Sequence, residues 1–104
     1  MKKVEFFQVI NRFCRNSSTI VKAMLYGSQA KKDSHEELDS KVDLDLILII
    51  RGEDDFYLFK ELAKLSKEIG ILIHPLVINE KELEFKSTIQ EYKLALEQST
   101  TIYQ

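Results

Sequence analysis

The sequence predicts a small α/β fold in which helices pack on a mixed β-sheet. Two long segments place apolar residues at helical spacing, and three shorter runs are rich in aliphatic or β-branched residues. Glycine, proline or clustered polar residues separate the two kinds of segment. Because helices and strands alternate, they can bury their apolar faces against one another in layers. A length of 104 residues suffices for one core, so a single domain over residues 1–104 is predicted.

The first half of the chain is predicted to contain two helices and two strands. Residues 4–15 place apolar side chains every three or four positions, which predicts a helix. Residues 19–26 are apolar and partly β-branched, which predicts a strand, and residues 28–32 are predicted to open a short helix. Residues 33–41 are polar without periodicity and are interpreted as a loop. Residues 42–50, rich in Leu and Ile, form the clearest predicted strand.

A second long helix is predicted to begin after Asp54 or Asp55, either of which can act as its N-cap. Its apolar positions continue to Ile69, and Gly70 is well placed to end it. The phenylalanines of both long helices stand at helical spacing and are expected in the core. They are Phe6, Phe7, Phe13, Phe56 and Phe59.

The last part of the chain is predicted to add a strand, a helix and a short terminal strand. Residues 71–78 form the strand, and Pro75 within it cannot donate a ladder hydrogen bond, so this strand is expected at a sheet edge or bent. Asn79 is expected to cap one helix over residues 79–98. A terminal strand is predicted at Thr100–Tyr103.

Two carboxylates on the clearest strand point to a bound cation. Asp43 and Asp45 are two residues apart, so both side chains are expected on one face of the strand. Asp is disfavoured in strands and neighbouring carboxylates repel, so neither residue favours folding. A divalent cation reverses that repulsion, and Mg²⁺ prefers one or two carboxylates together with phosphate oxygens and waters.

The turn that follows the first predicted strand supplies the second half of the predicted site. Gly27 at a strand end lets the backbone approach a ligand closely. A helix beginning at Ser28 would point its N–H groups and positive dipole end outward, and the Ser28 hydroxyl would add a hydrogen bond. The turn and the Asp43–Asp45 pair together predict a site for a Mg²⁺-nucleoside triphosphate.

Each half of this pattern taken alone has other interpretations. Asp43 and Asp45 are also compatible with a solvated strand face, or with the Asp-x-Asp of a sugar-nucleotide glycosyltransferase. The short chain and the otherwise unexplained Gly27-Ser28 argue against the glycosyltransferase. Gly27-Ser28 alone is typical of an ordinary strand-ending turn. Lys31 is compatible with solvated surface or with a phosphate contact.

The stretch from Leu25 to Lys31, followed by Val42 to Ile47, resembles the signature of the DNA polymerase β-like nucleotidyltransferases. In that superfamily a Gly-Ser turn precedes an Asp-hydrophobic-Asp on the next strand. The resemblance extends over nearly the whole chain and is strongest to the small stand-alone members, the minimal nucleotidyltransferases. It implies the polymerase β-like fold and a Mg²⁺-dependent transfer of NMP, AMP above all, from an NTP such as ATP to a hydroxyl.

The resemblance also implies a role for each residue of the motif. Gly27 and Ser28 would contact the triphosphate, and Lys31 would lie near the phosphates, where relatives often carry Arg. Asp43 and Asp45 would bind Mg²⁺ and be the catalytic carboxylates. The mechanism would be in-line transfer with loss of pyrophosphate.

The sequence departs from the family pattern at several places, and the loop between the turn and the Asp43–Asp45 pair is slightly long. Gln29 stands where relatives usually carry Arg, and Val42 rather than Ser precedes Asp43. Active relatives usually carry a third carboxylate on the following strand, but residues 71–78 contain none. His74 is the only ionisable side chain there, and it would act as a base only if it faced the site. The alternative prediction is therefore a catalytically impaired module that binds nucleotide or docks a partner.

The resemblance and the composition together indicate the partners. Minimal nucleotidyltransferases often occur beside a helical HEPN-type protein as toxin–antitoxin pairs, which implies a hydroxyl of such a partner as acceptor and a homo- or hetero-oligomer. A small-molecule hydroxyl remains the alternative acceptor. A formal net charge of −2 with scattered lysines argues against a nucleic-acid partner.

The single cysteine and the absence of a long apolar run indicate the compartment. Cys14 alone excludes an internal disulfide and a cysteine-based zinc site, and it is interpreted as a core residue rather than a nucleophile. The longest apolar run, residues 46–50, is far too short for a membrane span, and no signal peptide is expected. A cytoplasmic protein is therefore predicted.

Overall fold

The computed structural model describes residues 1–52 and 56–104. The first helix, α1, runs over Lys3–Arg15, and its buried face carries Phe6, Ile10 and Cys14 at a spacing of four residues. Burial raises the pKa of the Cys14 thiol to about 12, so the thiol stays protonated at neutral pH. The interpretation of Cys14 as a core residue is confirmed.

Four strands form the sheet in the described part of the chain, and they confirm the predicted α/β class with a mixed sheet. They are β1 (Ile20–Tyr26), β2 (Leu44–Ile50), β3 (Ile73–Asn79) and β4 (Thr100–Tyr103), in the spatial order β3-β2-β1-β4. β1 is antiparallel to both β2 and β4, whereas β2 and β3 are parallel. A parallel pair needs a crossover, which the helix α2 (Phe56–Ile69) supplies. Pro75 lies in β3 at the edge of this sheet, as predicted.

The sheet separates two apolar clusters. The alternating side chains of β2 divide between them, with Leu44, Leu46 and Leu48 in the larger cluster beside α1 and α2. Ile47 and Ile49 point to the opposite face and pack in a smaller cluster. Helices therefore lie on both faces of the sheet, and the smaller cluster is covered from the C-terminal part of the chain.

The prediction that Phe56 and Phe59 lie in the core is wrong. Their exposed fractions are 75% and 43%, whereas the buried residues of α2 are Leu58, Leu62 and Ser66. Sequence reasoning missed this face because it placed the buried side of the helix from apolar positions alone, and Ser66 is polar. The Ser66 hydroxyl accepts the backbone N–H that begins β3 at 2.9 Å, and this hydrogen bond satisfies it in the interior. The predicted caps Asp54 and Asp55 lie outside the described residues.

The single helix predicted over residues 79–98 is also wrong. The chain instead forms a 3₁₀ turn and two short helices, namely Glu80–Glu82, α3 (Leu83–Lys86) and α4 (Gln90–Glu97). The hydroxyls of Ser87 and Thr88 each donate to a backbone carbonyl three residues earlier, at 2.7 Å. Such local bonds compete with helix continuation, so the chain turns there and α4 packs separately on the sheet.

None of the helices in the described part of the chain is long and apolar enough to cross a membrane.

Candidate functional site

The turn after β1 is built around Gly27. Its backbone angles, φ 92° and ψ −167°, belong to a region that is essentially restricted to glycine. A Cβ atom at this position would lie 2.9 Å from Oδ2 of Asp45. Glycine therefore lets the turn lie directly against the Asp45 carboxylate, which joins the two halves of the predicted motif in space.

The helix predicted over residues 28–32 is only a single 3₁₀ turn, Ser28–Lys31, which Gly27 caps. The Ala30 N–H donates to the Gly27 carbonyl at 3.1 Å, an i to i+3 bond that closes the turn. Peptide dipoles add up along a helix, so one turn carries little of the N-terminal charge that the sequence argument used. Ser28 and Lys31 are both exposed, so their side chains are open to a ligand.

A buried lysine, which sequence reasoning missed, holds this turn in place. The Lys3 ammonium donates to the carbonyls of Ala30 at 2.7 Å and Lys32 at 2.5 Å. Lys3 lies on the same helical face as the buried residues of α1, and this spacing was the available signal. Gln29 is also buried, and its side-chain oxygen accepts the Asp39 N–H at 3.2 Å. Both residues support the turn from within.

The two predicted carboxylates differ in their placement. Asp45 lies in β2 and is a direct neighbour of Tyr26 on β1 and of His74 on β3. Asp43 lies just before β2, which begins at Leu44 rather than at the predicted residue 42, and it is exposed. The alternation of side chains along a strand therefore holds for Asp45, and the argument does not extend to Asp43. Within residues 1–52 and 56–104, no group of three or more His, Cys, Asp or Glu side chains is arranged to hold a metal ion.

His74 faces the site, as a role as a base would require. Its Nδ1 atom lies 3.3 Å from Oδ1 of Asp45, and the side chains of His74 and Asp45 are 71% and 41% exposed. The two carboxylate oxygens of Asp45 are thus divided, since Oδ2 adjoins Gly27 and Oδ1 adjoins His74. An imidazole in this position can accept a proton or share a lone pair with a cation.

A cleft of about 280 Å³ opens beside this pair, between the sheet and α4. The sheet side of the cleft includes Tyr26, Asp45 and His74. The helix side includes Glu91, Tyr92 and Ala95. No local sequence signal marks Tyr26, Glu91 or Tyr92, because they become neighbours only when α4 packs on the sheet. The cleft has carboxylates and an imidazole beside aromatic and apolar surface, a combination suited to a small ligand with polar and flat parts.

A scan of known protein families finds no model that matches this sequence, and a comparison with curated proteins finds no significant match.

Proposed function

We propose that the protein is a minimal nucleotidyltransferase that transfers an NMP, AMP above all, from an NTP to a hydroxyl. The position of the Asp45 carboxylate carries this proposal. It lies against the Gly27 turn on one side and His74 on the other, at the side of a cleft. A half-exposed carboxylate is a ligand that Mg²⁺ accepts together with phosphate oxygens, and the glycine turn beside it would let a triphosphate come close.

The Asp45 carboxylate would be the first ligand of the divalent cation in this proposal. Asp45 presents an accessible carboxylate, and a Cβ at Gly27 would fill the space beside its Oδ2 oxygen. Asp45, together with Asp43 just before the strand, would hold the ion. Bound there, Mg²⁺ would neutralise charge on the triphosphate during transfer.

The remaining residues of the motif would bind and orient the nucleotide. The Gly27 backbone and the exposed Ser28 hydroxyl would contact phosphate oxygens, and the exposed Lys31 would add positive charge beside them. The acceptor hydroxyl would enter the cleft between the sheet and α4. By the same family resemblance, we propose a helical HEPN-type partner as the acceptor, within a cytoplasmic toxin–antitoxin pair.

A second candidate function is a module that binds nucleotide or a partner and transfers nothing. It is favoured by β3, which carries His74 and no carboxylate next to Asp45. The two functions differ in one observable, the metal-dependent release of pyrophosphate when the acceptor is present. Release supports the transferase, and nucleotide binding without release supports the module.

Thermal unfolding tests the nucleotide site that the transferase requires; a module that only docks a partner has no such site. ATP, GTP, CTP and UTP are each added with and without Mg²⁺ to the wild type and to the Asp43→Asn/Asp45→Asn variant. A nucleotide that binds only the folded state at a hundredfold excess over Kd adds about 2.7 kcal/mol to its stability. We expect a Mg²⁺-dependent rise for the wild type that the double variant loses.

The matched control is Glu61→Gln/Glu68→Gln, which removes two exposed carboxylates from α2 on the other face of the sheet. It should keep the full nucleotide-dependent rise. If no nucleotide raises the unfolding temperature of the wild type, the proposed nucleotide site is wrong.

A further inference from the structure

The sheet side of the cleft is polar at one end and apolar at the other. Tyr26, Asp45 and His74 are direct neighbours across β1, β2 and β3 and form one row of the sheet. Ile47 and Leu76, which are also direct neighbours, form the next row on the same face. Because both rows line the cleft, a ligand there meets polar groups at one end and aliphatic surface at the other.

The helix side of the cleft adds a second carboxylate and a second aromatic ring. Glu91 is exposed in the first turn of α4, and Tyr92 and Ala95 of the same helix line the cleft with it. The described residues that line the cleft thus include two carboxylates, those of Asp45 and Glu91, and neither Lys nor Arg. The charge of the cleft therefore favours a cationic ligand over an anionic one.

The ring of Tyr92 is already in contact with a cation of the protein itself. The Lys86 ammonium lies 5.4 Å from the centroid of this ring, within the distance of about 6 Å at which an aromatic face attracts a cation. Lys86 is outside the cleft lining and is also paired with Glu82, at 3.3 Å. Tyr26 places a second ring against the cleft from the sheet side. A planar cation in the cleft could therefore stack on aromatic surface as well as pair with a carboxylate.

An arginine side chain combines the features that this cleft is suited to bind. Its guanidinium is planar and permanently charged, pairs with carboxylates and stacks on aromatic rings, whereas its methylene stem packs on aliphatic surface. The cleft volume of about 280 Å³ lies just below the range of small-molecule sites, about 300–1,000 Å³, so it suits one side chain better than an extended ligand. We propose that the cleft is a subsite for an arginine side chain of a partner protein, with Glu91 as its counter-charge. The binding of arginine is independent of the proposed function, but the use of this subsite to position an acceptor hydroxyl rests on it.

Glu91 is assigned the main contact because Asp45 has other neighbours. The Asp45 oxygens adjoin His74 and the Gly27 turn, and the proposed function gives this carboxylate to the metal. Glu91 also has a structural role, since a carboxylate in the first turn of α4 interacts favourably with the helix dipole. That role predicts a change in stability for Glu91→Gln but no change in its preference among ligands.

Amide chemical-shift titration of the whole chain by NMR tests this proposal. The ligands are the Nα-acetyl methylamides of arginine, lysine and citrulline, of which citrulline is a neutral near-isostere of arginine. From one exposed charge pair together with stacking, we expect arginine to bind about 3- to 10-fold more tightly than citrulline, with lysine between them. Shifts of the Tyr26, Asp45 and Tyr92 amides should place the ligand in the cleft.

Two variants of α4 identify the counter-charge. Glu91→Gln should remove most of the preference for arginine over citrulline and leave the binding of citrulline unchanged. The matched control is Glu97→Gln, which changes an exposed carboxylate of the same helix outside the cleft lining and should keep the full preference. Both variants change exposed side chains, and their amide spectra check that the fold is retained.

Four results would overturn the proposal, and two of them need no variant. They are the absence of shifts at the cleft with millimolar arginine ligand, binding of citrulline or of lysine as tight as that of arginine, and an undiminished preference in Glu91→Gln.

Thermal unfolding of the same protein with ATP and Mg²⁺ separates this proposal from the proposed function. A preference for arginine without any nucleotide-dependent stabilisation supports the subsite and removes the nucleotidyltransferase. Nucleotide-dependent stabilisation without a preference for arginine supports the nucleotide site and overturns the subsite.

Discussion

Replacing Gly27 with alanine tests the close approach of the Gly27 turn to the Asp45 carboxylate. The backbone angles of Gly27 lie where other residues are strained by about 1–3 kcal/mol. The new Cβ would also lie 2.9 Å from Oδ2 of Asp45. That oxygen is the end of a rotatable side chain, so moving it adds only on the order of 1 kcal/mol. We expect Gly27→Ala to lower the free energy of unfolding by about 2–4 kcal/mol, the sum of the two effects.

Urea unfolding measures this change from the shift of the midpoint, with Gly70→Ala as the matched control. Gly70 also has positive φ, 72°, but a Cβ there would meet nothing within 4 Å. Its replacement should cost about 1–2 kcal/mol, from the backbone alone. When Asp45 is also replaced by alanine, the effect of Gly27→Ala on the free energy of unfolding should be smaller than in the wild type by about 0.5 kcal/mol or more, because the Oδ2 atom is gone.

Two results would refute this reasoning. One is a cost for Gly27→Ala below about 1 kcal/mol, which would mean that the turn does not hold the strained angles. The other is an equal cost with and without the Asp45 carboxylate, which would mean that the turn and the carboxylate do not touch. The ligand readout is separate, since Gly70→Ala should leave any nucleotide-dependent stabilisation intact and Gly27→Ala should reduce it.

Three further predictions concern the framework around the site. Burial raises the pKa of the Cys14 thiol from 9.0 to about 12, so the contribution of the protonated thiol to stability is complete below pH 9.0 and is lost as the pH rises toward 12. Between these pH values the free energy of unfolding should therefore fall less steeply with pH for Cys14→Ala than for the wild type. Lys3→Met leaves two carbonyls beside the turn without their ammonium donor and should cost about 1–3 kcal/mol in urea unfolding. Leu62→Ala should lower the free energy of unfolding by about 2–5 kcal/mol, because Leu62 is buried. Replacing the exposed Phe56 with alanine should change it by less than about 1 kcal/mol. Equal effects of the two substitutions would contradict the observed orientation of α2.

The sequence predicted the elements whose signals are local. α1 and the edge position of Pro75 followed from periodicity and from the missing amide hydrogen of proline. The orientation of α2 did not follow, because the benefit of burying Ser66 depends on the β3 backbone it binds. The break before α4 was missed because the hydroxyls of Ser87 and Thr88 donate to nearby backbone carbonyls. Helix propensity alone does not predict whether such local bonds form in place of a continued helix.

For the candidate site too, some features were predictable from the sequence and others depended on the tertiary structure. The sequence by itself determined the α/β class, the Gly27 turn and a carboxylate at Asp45 on the face opposite the leucines, since each depends on residue type and on alternation along one strand. Only the tertiary structure decided that Gly27 adjoins Oδ2 of Asp45 and that His74 adjoins Oδ1. It also decided that α4 adds Glu91 and Tyr92 to the cleft. These neighbours are far apart in sequence, and their distances are set by strand register and helix packing, which no local pattern of residues encodes.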